Sequence, residues 1–304
     1  MSIDTHSLQQ WLGKTKLSSD LLTTAPAQAL AQTLDAVDVD FQAGSLLPHL
    51  WHWVYLLEPV ATAELSADGH PPKGDFLPPI ELPRRMWAGS RFEFNRQLII
   101  GQEIQRKSTI KHIVHKQGRS GELIIVTVVH EISDPQGIAF TEEQDIVYRQ
   151  GASSVTSTPI TTPEQNSTTN PVSQITTCEA DHFKTITPDP VLLFRYSALT
   201  FNSHRIHYDL DYTRQVEAYP GLVVHGPLLA SLLIGLFQES FPDSPIASFS
   251  FKALRPVFHL HSFTVCTNKA DAKGVARLWI QDHQGIECMQ AQLGLKSNDR
   301  SGES

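Results

Sequence analysis

Two histidines, His204 and His207, sit in the polar, aromatic-flanked stretch FNSHRIHYDLDY (201–212), and a short way downstream the chain reads HGPLLASLLIGLF (225–237). Three chemistries suit that pair: a metal site, a satisfied structural pair, or the base of an enzyme that works beside the apolar run. Helical i, i+3 spacing allows two histidines to share a metal. No carboxylate or third histidine lies at a matching offset in the same element, however, and Arg205 between them repels a cation. The metal reading is therefore set aside and no metal is expected.

The apolar run sharpens the choice. Gly226-Pro227 suits a helix start, because proline at the first helical position lacks only an N–H that would be unpaired anyway. Glycine there lets a ligand approach the backbone closely. The free N–H groups and dipole of a helix start favour negative charge, so an enolate or oxyanion placed there would be stabilised. The alternative is an ordinary capped core helix. Asn202 and His207 on a polar loop, followed by that helix start, bring an amide, an imidazole and an oxyanion site into one short unit. Addition of water to a thioester-conjugated double bond, or its loss, needs those parts: one group polarises the carbonyl and another handles the proton of water.

The whole chain bounds this reading. At 304 residues, 40% hydrophobic and with a net charge of −8, it has the composition of a soluble globular protein. That charge argues against nucleic acid or an anionic membrane as partner. Cys178, Cys266 and Cys288 are too few and too scattered for a disulfide framework or a zinc site; reduced, packed thiols fit a cytoplasmic protein. The N-terminus lacks a basic stretch followed by an apolar core, so no secretory signal is expected. No apolar run reaches the ~20 residues that span a bilayer, and the sequon at Asn166 carries no weight.

The elements that must position the site form a repeat. Residues 150–180 are rich in Ser, Thr, Pro and Asn and read as an extended linker. They separate a first unit, 1–149, from a second, 181–304. DPQGIAFTEEQDIVY (134–148) aligns with DHQGIECMQAQLGLK (282–296), and RFEFNRQLIIG (91–101) echoes SFSFKALRPVF (248–258). Each half ends in strands joined by an Asp-x-Gln-Gly turn, with Gly137 and Gly285 supplying positive φ. Period-two alternation marks strands at 122–132 and 274–282, and more weakly at 109–116. Short connections make the sheet antiparallel. The run from Pro227 to about Glu239 is apolar on every side, so the sheet must wrap it. PHLWHWVYLLE (48–58) occupies the matching place in the first half, and an amphipathic helix is expected near Pro26–Leu34. The fold class is α+β: two repeats, each an antiparallel sheet around a helix.

YSALTFNSHRIHYDLDY followed by YPGLVVHGPLLASLL resembles the hydratase signature of MaoC-type hot-dog dehydratases. LPRRMWAGSRFEF and TEEQDIVYR resemble the longer double hot-dog branch, which holds hydroxyacyl-thioester dehydratases type 2 and the mesaconyl-CoA and itaconyl-CoA hydratases. The resemblance covers nearly the whole chain outside the linker. It implies a long helix wrapped by an antiparallel sheet in each repeat, a hydro-lyase acting on an acyl-CoA thioester, and no cofactor, CoA being part of the substrate. By position, His207 matches the family's catalytic histidine and Gly226 the backbone donor of its oxyanion hole.

The chain departs from the pattern at Asn202, where an aspartate is usual. Either Asn202 orients water while His207 alone shuttles the proton, or Asp209 or His204 replaces the missing carboxylate. His204 and His225 flank the site and are placed among the substrate-binding residues. The first half has no comparable motif, and similar proteins use that half to shape the acyl pocket, a role that suits Trp51, His52, Trp53 and Tyr55. Arg84, Arg85, Lys252 and Arg255 are candidates for the CoA phosphates. Arg205 is the candidate for a free carboxylate on a dicarboxylic acyl group, since arginine grips carboxylates bidentately. A homodimer would cover exposed sheet edges. An acyl-CoA thioesterase on the same fold, or a non-catalytic acyl-thioester-binding subunit, are the alternatives.

Overall fold

The computed structural model describes residues 5–36, 39, 41–118, 121–150 and 179–297. The linker reading for 150–180 falls, but for its ends, outside the described residues, as do Cys178 and Asn166. The first half runs α1 (Thr5–Gln9), β1 (Thr15–Leu21), α2 (Thr24–Thr33), then β2 (Arg84–Phe94), β3 (Glu103–Gly118), β4 (Gly121–Asp134) and β5 (Gly137–Arg149). The second runs β6 (His182–Ile186), α3 (Pro190–Leu199), α4 (Leu210–Gln215), α5 (Gly226–Ser240), β7 (Ile246–Ala253), β8 (Phe263–Thr267), β9 (Val275–Gln281) and β10 (Glu287–Leu295).

All ten strands form one antiparallel sheet in the order β1-β3-β4-β5-β2-β7-β10-β9-β8-β6. The order is the same read outward from its centre in either direction, so the repeat seen in the sequence is a repeat of topology. The seam is the β2–β7 pair, with Phe92 opposite Phe249 and Ser90 opposite Phe251. Those are the strands of the RFEF and SFSF echo, and their phenylalanines alternate inward into one core that spans both halves. The Asp-x-Gln-Gly turns close the β4–β5 and β9–β10 hairpins, with Gly137 and Gly285 at φ of 106° and 77°.

Helix α5 is the central helix of the second half. It touches β6, β8, β9 and β10, and Leu228, Leu229, Ala230, Leu233, Ile234 and Phe237 along it are buried. The first half departs from expectation here. Residues 48–58 make a single 3-10 turn, Trp51–Val54, in place of a helix. Leu50 and Leu56 bracket it with φ of 68° and 53°, a conformation that ends a right-handed helix. The side chains explain why a turn suffices. Trp51, His52, Val54 and Tyr55 are all buried, and the Tyr55 hydroxyl donates to Thr23 O and accepts from Ala27 N, tying the turn to α2. The aromatic bulk of the turn fills space that a helix would otherwise occupy.

The missing helix leaves a long connection, residues 55–83, that crosses the molecule. Ile80 and Leu82 anchor it in a second apolar cluster with Ile110, Ile113, Ile124, Val126 and Tyr148. Lys73 clamps it by donating to Ile80 O and Leu82 O. Its middle, residues 66–70, docks on the loop that carries His204. Gly69 lies so close to Ser203 that a Cβ there would stand 1.9 Å from the Ser203 carbonyl oxygen. Ser203 Oγ donates to Gly69 O, and Arg205 N donates to Asp68 O.

Candidate active site

His207 ends a 3-10 turn, Arg205–His207, and is 7% exposed. Its Nδ1–H donates to Val223 O at 2.7 Å. A carbonyl only accepts, so this bond fixes the tautomer and leaves Nε2 with its lone pair. Burial pushes the ring's pKa down to about 4; the Val223 bond opposes this, and the nearby His70 adds to it. At neutral pH His207 is therefore an uncharged imidazole able to take a proton. It stacks on His225, centroids 3.7 Å apart and planes 18° apart, and His225 Nε2 is hydrogen-bonded to Ser197 Oγ at 2.8 Å. Burial holds His225 well below the usual histidine range, with His207 and His204 adding to the effect.

His225 is also the residue before α5, so its stacking places the His207 ring against the start of that helix. Among the described residues, the three α-helices of the second half begin differently. Asp189 caps α3 through Leu192 N and Asp209 caps α4 through Tyr212 N. At α5 no side chain caps the start, and the first turn holds no acid. A Cβ built on Gly226 meets nothing within 4 Å. An uncapped helix start that opens onto space leaves its N–H groups available to an anionic atom.

Asn202 follows Phe201, whose φ is 50°, and its Oδ1 accepts from His204 N at 3.0 Å. With the oxygen so engaged, the amide group left over is a donor. Such a group can hold a water molecule and cannot take its proton. Asp209 does not replace a missing base. One of its oxygens caps α4 and the other accepts two bonds from Arg205, at 3.0 and 2.7 Å.

Arg205 is likewise engaged inside the fold. Besides Asp209 it donates to Ala67 O and lies over the Tyr212 ring, 4.1 Å from its centroid. It fastens the first-half loop to the histidine loop, and its fork is not free to grip a substrate carboxylate. Arg85 is placed differently. Its charge bears on both His70 and His204, and none of the ion pairs of the described residues uses it. Arg84 pairs with Glu217.

Trp53 packs on Trp87, Phe92 and Phe251, across the seam between the halves, and its indole N–H points at the buried Glu142. Trp51 packs on Phe41 within the first half. Lys252 is exposed on the outer face of the sheet, in a groove with Arg91, Lys269 and Arg277. Arg255 is exposed just past β7.

Sequence reasoning missed Asp68 and His70. They reach the site from the first half: the rings of His70 and His204 lie 4.0 Å apart, and His204 meets His207 edge-on at 5.5 Å. Burial, helped by His70 and His207, drives His204 down to about 2. His70, His204, His207 and His225 thus form a continuous column of rings. The available signal was local, an Asp-Gly-His triplet in a proline-rich loop; nothing in the sequence says where such a loop docks.

Known proteins agree with this architecture. Residues 50–259 match the family described as hydroxyacyl-thioester dehydratase type 2. A mesaconyl-C(4)-CoA hydratase of Chloroflexus aurantiacus is 46% identical over 254 residues, covering 83% of this chain and 86% of that one. A solved MaoC-like dehydratase superposes with a TM-score of 0.66 at 13% identity, covering 95% of this chain and 99% of that one. A Mycobacterium tuberculosis protein described as having a double hotdog fold gives 0.56 at 11% identity, over 93% and 96%. The two structures speak to the fold, whereas the sequence matches run through the histidine loop and the start of α5. On that ground the chain belongs to the hydroxyacyl-thioester dehydratase type 2 family, and is a hydro-lyase of acyl thioesters on a double hot-dog frame.

Proposed function

We propose that the chain hydrates a short, branched, unsaturated dicarboxylic acyl-CoA of the mesaconyl type, with His207 as base, Asn202 as water holder and the Gly226 N–H as donor to the thioester oxygen. The observation that carries this reading is a neutral, tautomer-fixed His207 stacked on the residue that opens an uncapped helix. In the hydration direction, water loses a proton to His207 Nε2 as its oxygen bonds to the β-carbon. The electron pair of the double bond moves toward the thioester carbonyl, where the helix start receives the negative charge. The α-carbon then takes a proton and the hydroxyacyl thioester leaves. The reverse sequence is dehydration.

The acyl class rests on two features. The mesaconyl-C(4)-CoA hydratase matches this chain over most of both lengths, and Arg85 is a cation near the histidine column that no carboxylate of the described residues engages. It is the side chain to meet the free carboxylate of the acyl group. The turn at Trp51–Val54 and the Trp53–Trp87 contact fill the first half with rings, which favours a short acyl chain over a long one. The purified protein should remove the enoyl-thioester absorbance of mesaconyl-C4-CoA, and His207→Ala should abolish this. Undiminished turnover in that variant would remove His207 as base. The same trace on crotonyl-CoA and on a long-chain enoyl-CoA tests the acyl class.

A further inference from the structure

Hydration needs a place for the proton taken from water until the α-carbon receives it. Asn202 offers none, and burial holds His207 in its neutral form against the pull of its Val223 bond. One imidazole of the column has a carboxylate. His70 Nδ1 is 2.9 Å from Asp68 Oδ2, and the His70 backbone N–H donates to Asp68 Oδ1 at 3.0 Å. Burial would raise the Asp68 carboxyl, but its bonds from His70 outweigh this and hold it well below the usual range, so it stays ionised. An ionised carboxylate on Nδ1–H leaves Nε2 to accept a proton and stabilises the imidazolium that results.

We propose that the Asp68–His70 dyad, delivered to the second half's site by the first half's loop, shares with His207 the proton taken from water and returned to the α-carbon. The proposal rests on the hydratase reading above. In the forward reaction one O–H bond of water breaks and one C–O bond forms. The proton is divided between His207 and, beyond the intervening His204 ring, His70. The π electrons of the double bond, held meanwhile as the enolate at the helix start, then form the C–H bond at the α-carbon that takes it back. No net proton is consumed. The dyad acts through His207, so Asp68 and His70 are positioning residues. The groups facing His70 are Asp68 on its own loop, Arg85 on β2, His204, and the more distant Glu217 and His207. Burial and Arg85 keep the resting His70 below its usual pKa, against the pull of Asp68 and Glu217. The ring thus rests neutral, its Nδ1–H bonded to Asp68 and its Nε2 open to a second proton.

Asp68, His70 and His204 also present ligand atoms within 4.8 Å of one another, a spacing that could hold a metal ion. Two features favour the proton role. His70 Nδ1 is already bonded to Asp68, and the charge of Arg85 opposes a second cation as it opposes protonation of both rings.

The test is Asp68→Asn in the full chain. The loop is docked by main-chain atoms, through Asp68 O, Gly69 O and Ala67 O, so the variant should keep the parent's melting temperature. We expect kcat to fall about 10²-fold with KM little changed. Losing the carboxylate removes what raises His70, so the acidic limb of the kcat–pH profile should move to lower pH. Asp68→Glu should restore part of kcat, and His70→Gln should match Asp68→Asn. An active parent whose Asp68→Asn and His70→Gln variants keep its kcat and pH profile overturns the dyad alone. A parent inactive on every enoyl-CoA overturns the hydratase reading and the dyad with it. Activity lost to a chelator and restored by zinc would make the cluster a metal site and also overturn the dyad.

Discussion

Gly226→Ala adds one methyl group at the start of α5, and the surroundings of that residue separate its effect on folding from its effect on chemistry. Nothing lies within 4 Å of the added Cβ, and Gly226 does not have a positive φ. Alanine is a better helix former than glycine by about 1 kcal/mol, so the variant should unfold at the parent's temperature or slightly above it. The same methyl stands where a thioester oxygen must approach the helix start. Displacing that oxygen from one donor should cost up to about 3 kcal/mol in the transition state, roughly a hundredfold in kcat. Gly221→Ala is the contrasting case, because its Cβ would lie 2.8 Å from the His259 ring, whose Nδ1 accepts from Leu222 N. That variant should lose stability. The assay pairs the decay of enoyl-thioester absorbance at saturating substrate with a thermal melt on the same preparation. A Gly226→Ala protein that melts normally and turns over at the parent's rate would refute the placement of the oxyanion at this helix start.

Three further outcomes follow from the same structure. Arg85→Met should raise KM for a dicarboxylic enoyl-CoA by about tenfold or more, the scale of one lost charge-assisted pair, and leave crotonyl-CoA unaffected; steady-state kinetics on both substrates check this. Stability should fall as pH drops through the window from about 6.5, where histidines of the unfolded chain titrate, to about 4, where His207 and His49 titrate in the fold. Within that window the unfolded chain binds protons that the native rings refuse, so acid favours unfolding; His207 alone accounts for about 3 kcal/mol of this, and urea melts at pH 7 and 5 should show a smaller difference in His207→Asn. Trp53→Ala should cost about 3–5 kcal/mol, because it opens the seam against Phe251 and leaves Glu142 short of a donor, as a shift in urea midpoint would record.

What was legible in the sequence was local. The two Asp-x-Gln-Gly hairpins could be read because turn chemistry sits in adjacent residues, and Asp134 and Asp282 each accept from the backbone N–H two residues on. Helix α5 could be read because a run apolar on all sides has only one place to go. The 48–58 segment has a similar apolar content and was read as its counterpart. The leucines that interrupt it at positive φ give no such sign as a glycine would, and tertiary packing of the aromatic rings decided between turn and helix. Arg205 beside the histidines suggested a substrate contact, yet Asp209, four residues on, takes its charge within the helix start. Asp68 and His70 were out of reach for a different reason. The bond that docks their loop joins Gly69 to a serine 134 residues later, and no periodicity or spacing carries information over that distance.

The seam between β2 and β7 makes the second half a poor candidate for life as a fragment. A polypeptide beginning near residue 179 would keep His207 and α5, but β7 would become a bare border, its backbone amides and carbonyls unpaired along the stretch now matched to β2. Bare borders of this kind recruit copies of themselves, and the fragment's own relatives would be the nearest match. The amino-terminal half thus occupies the place along β7 where a second copy would otherwise attach.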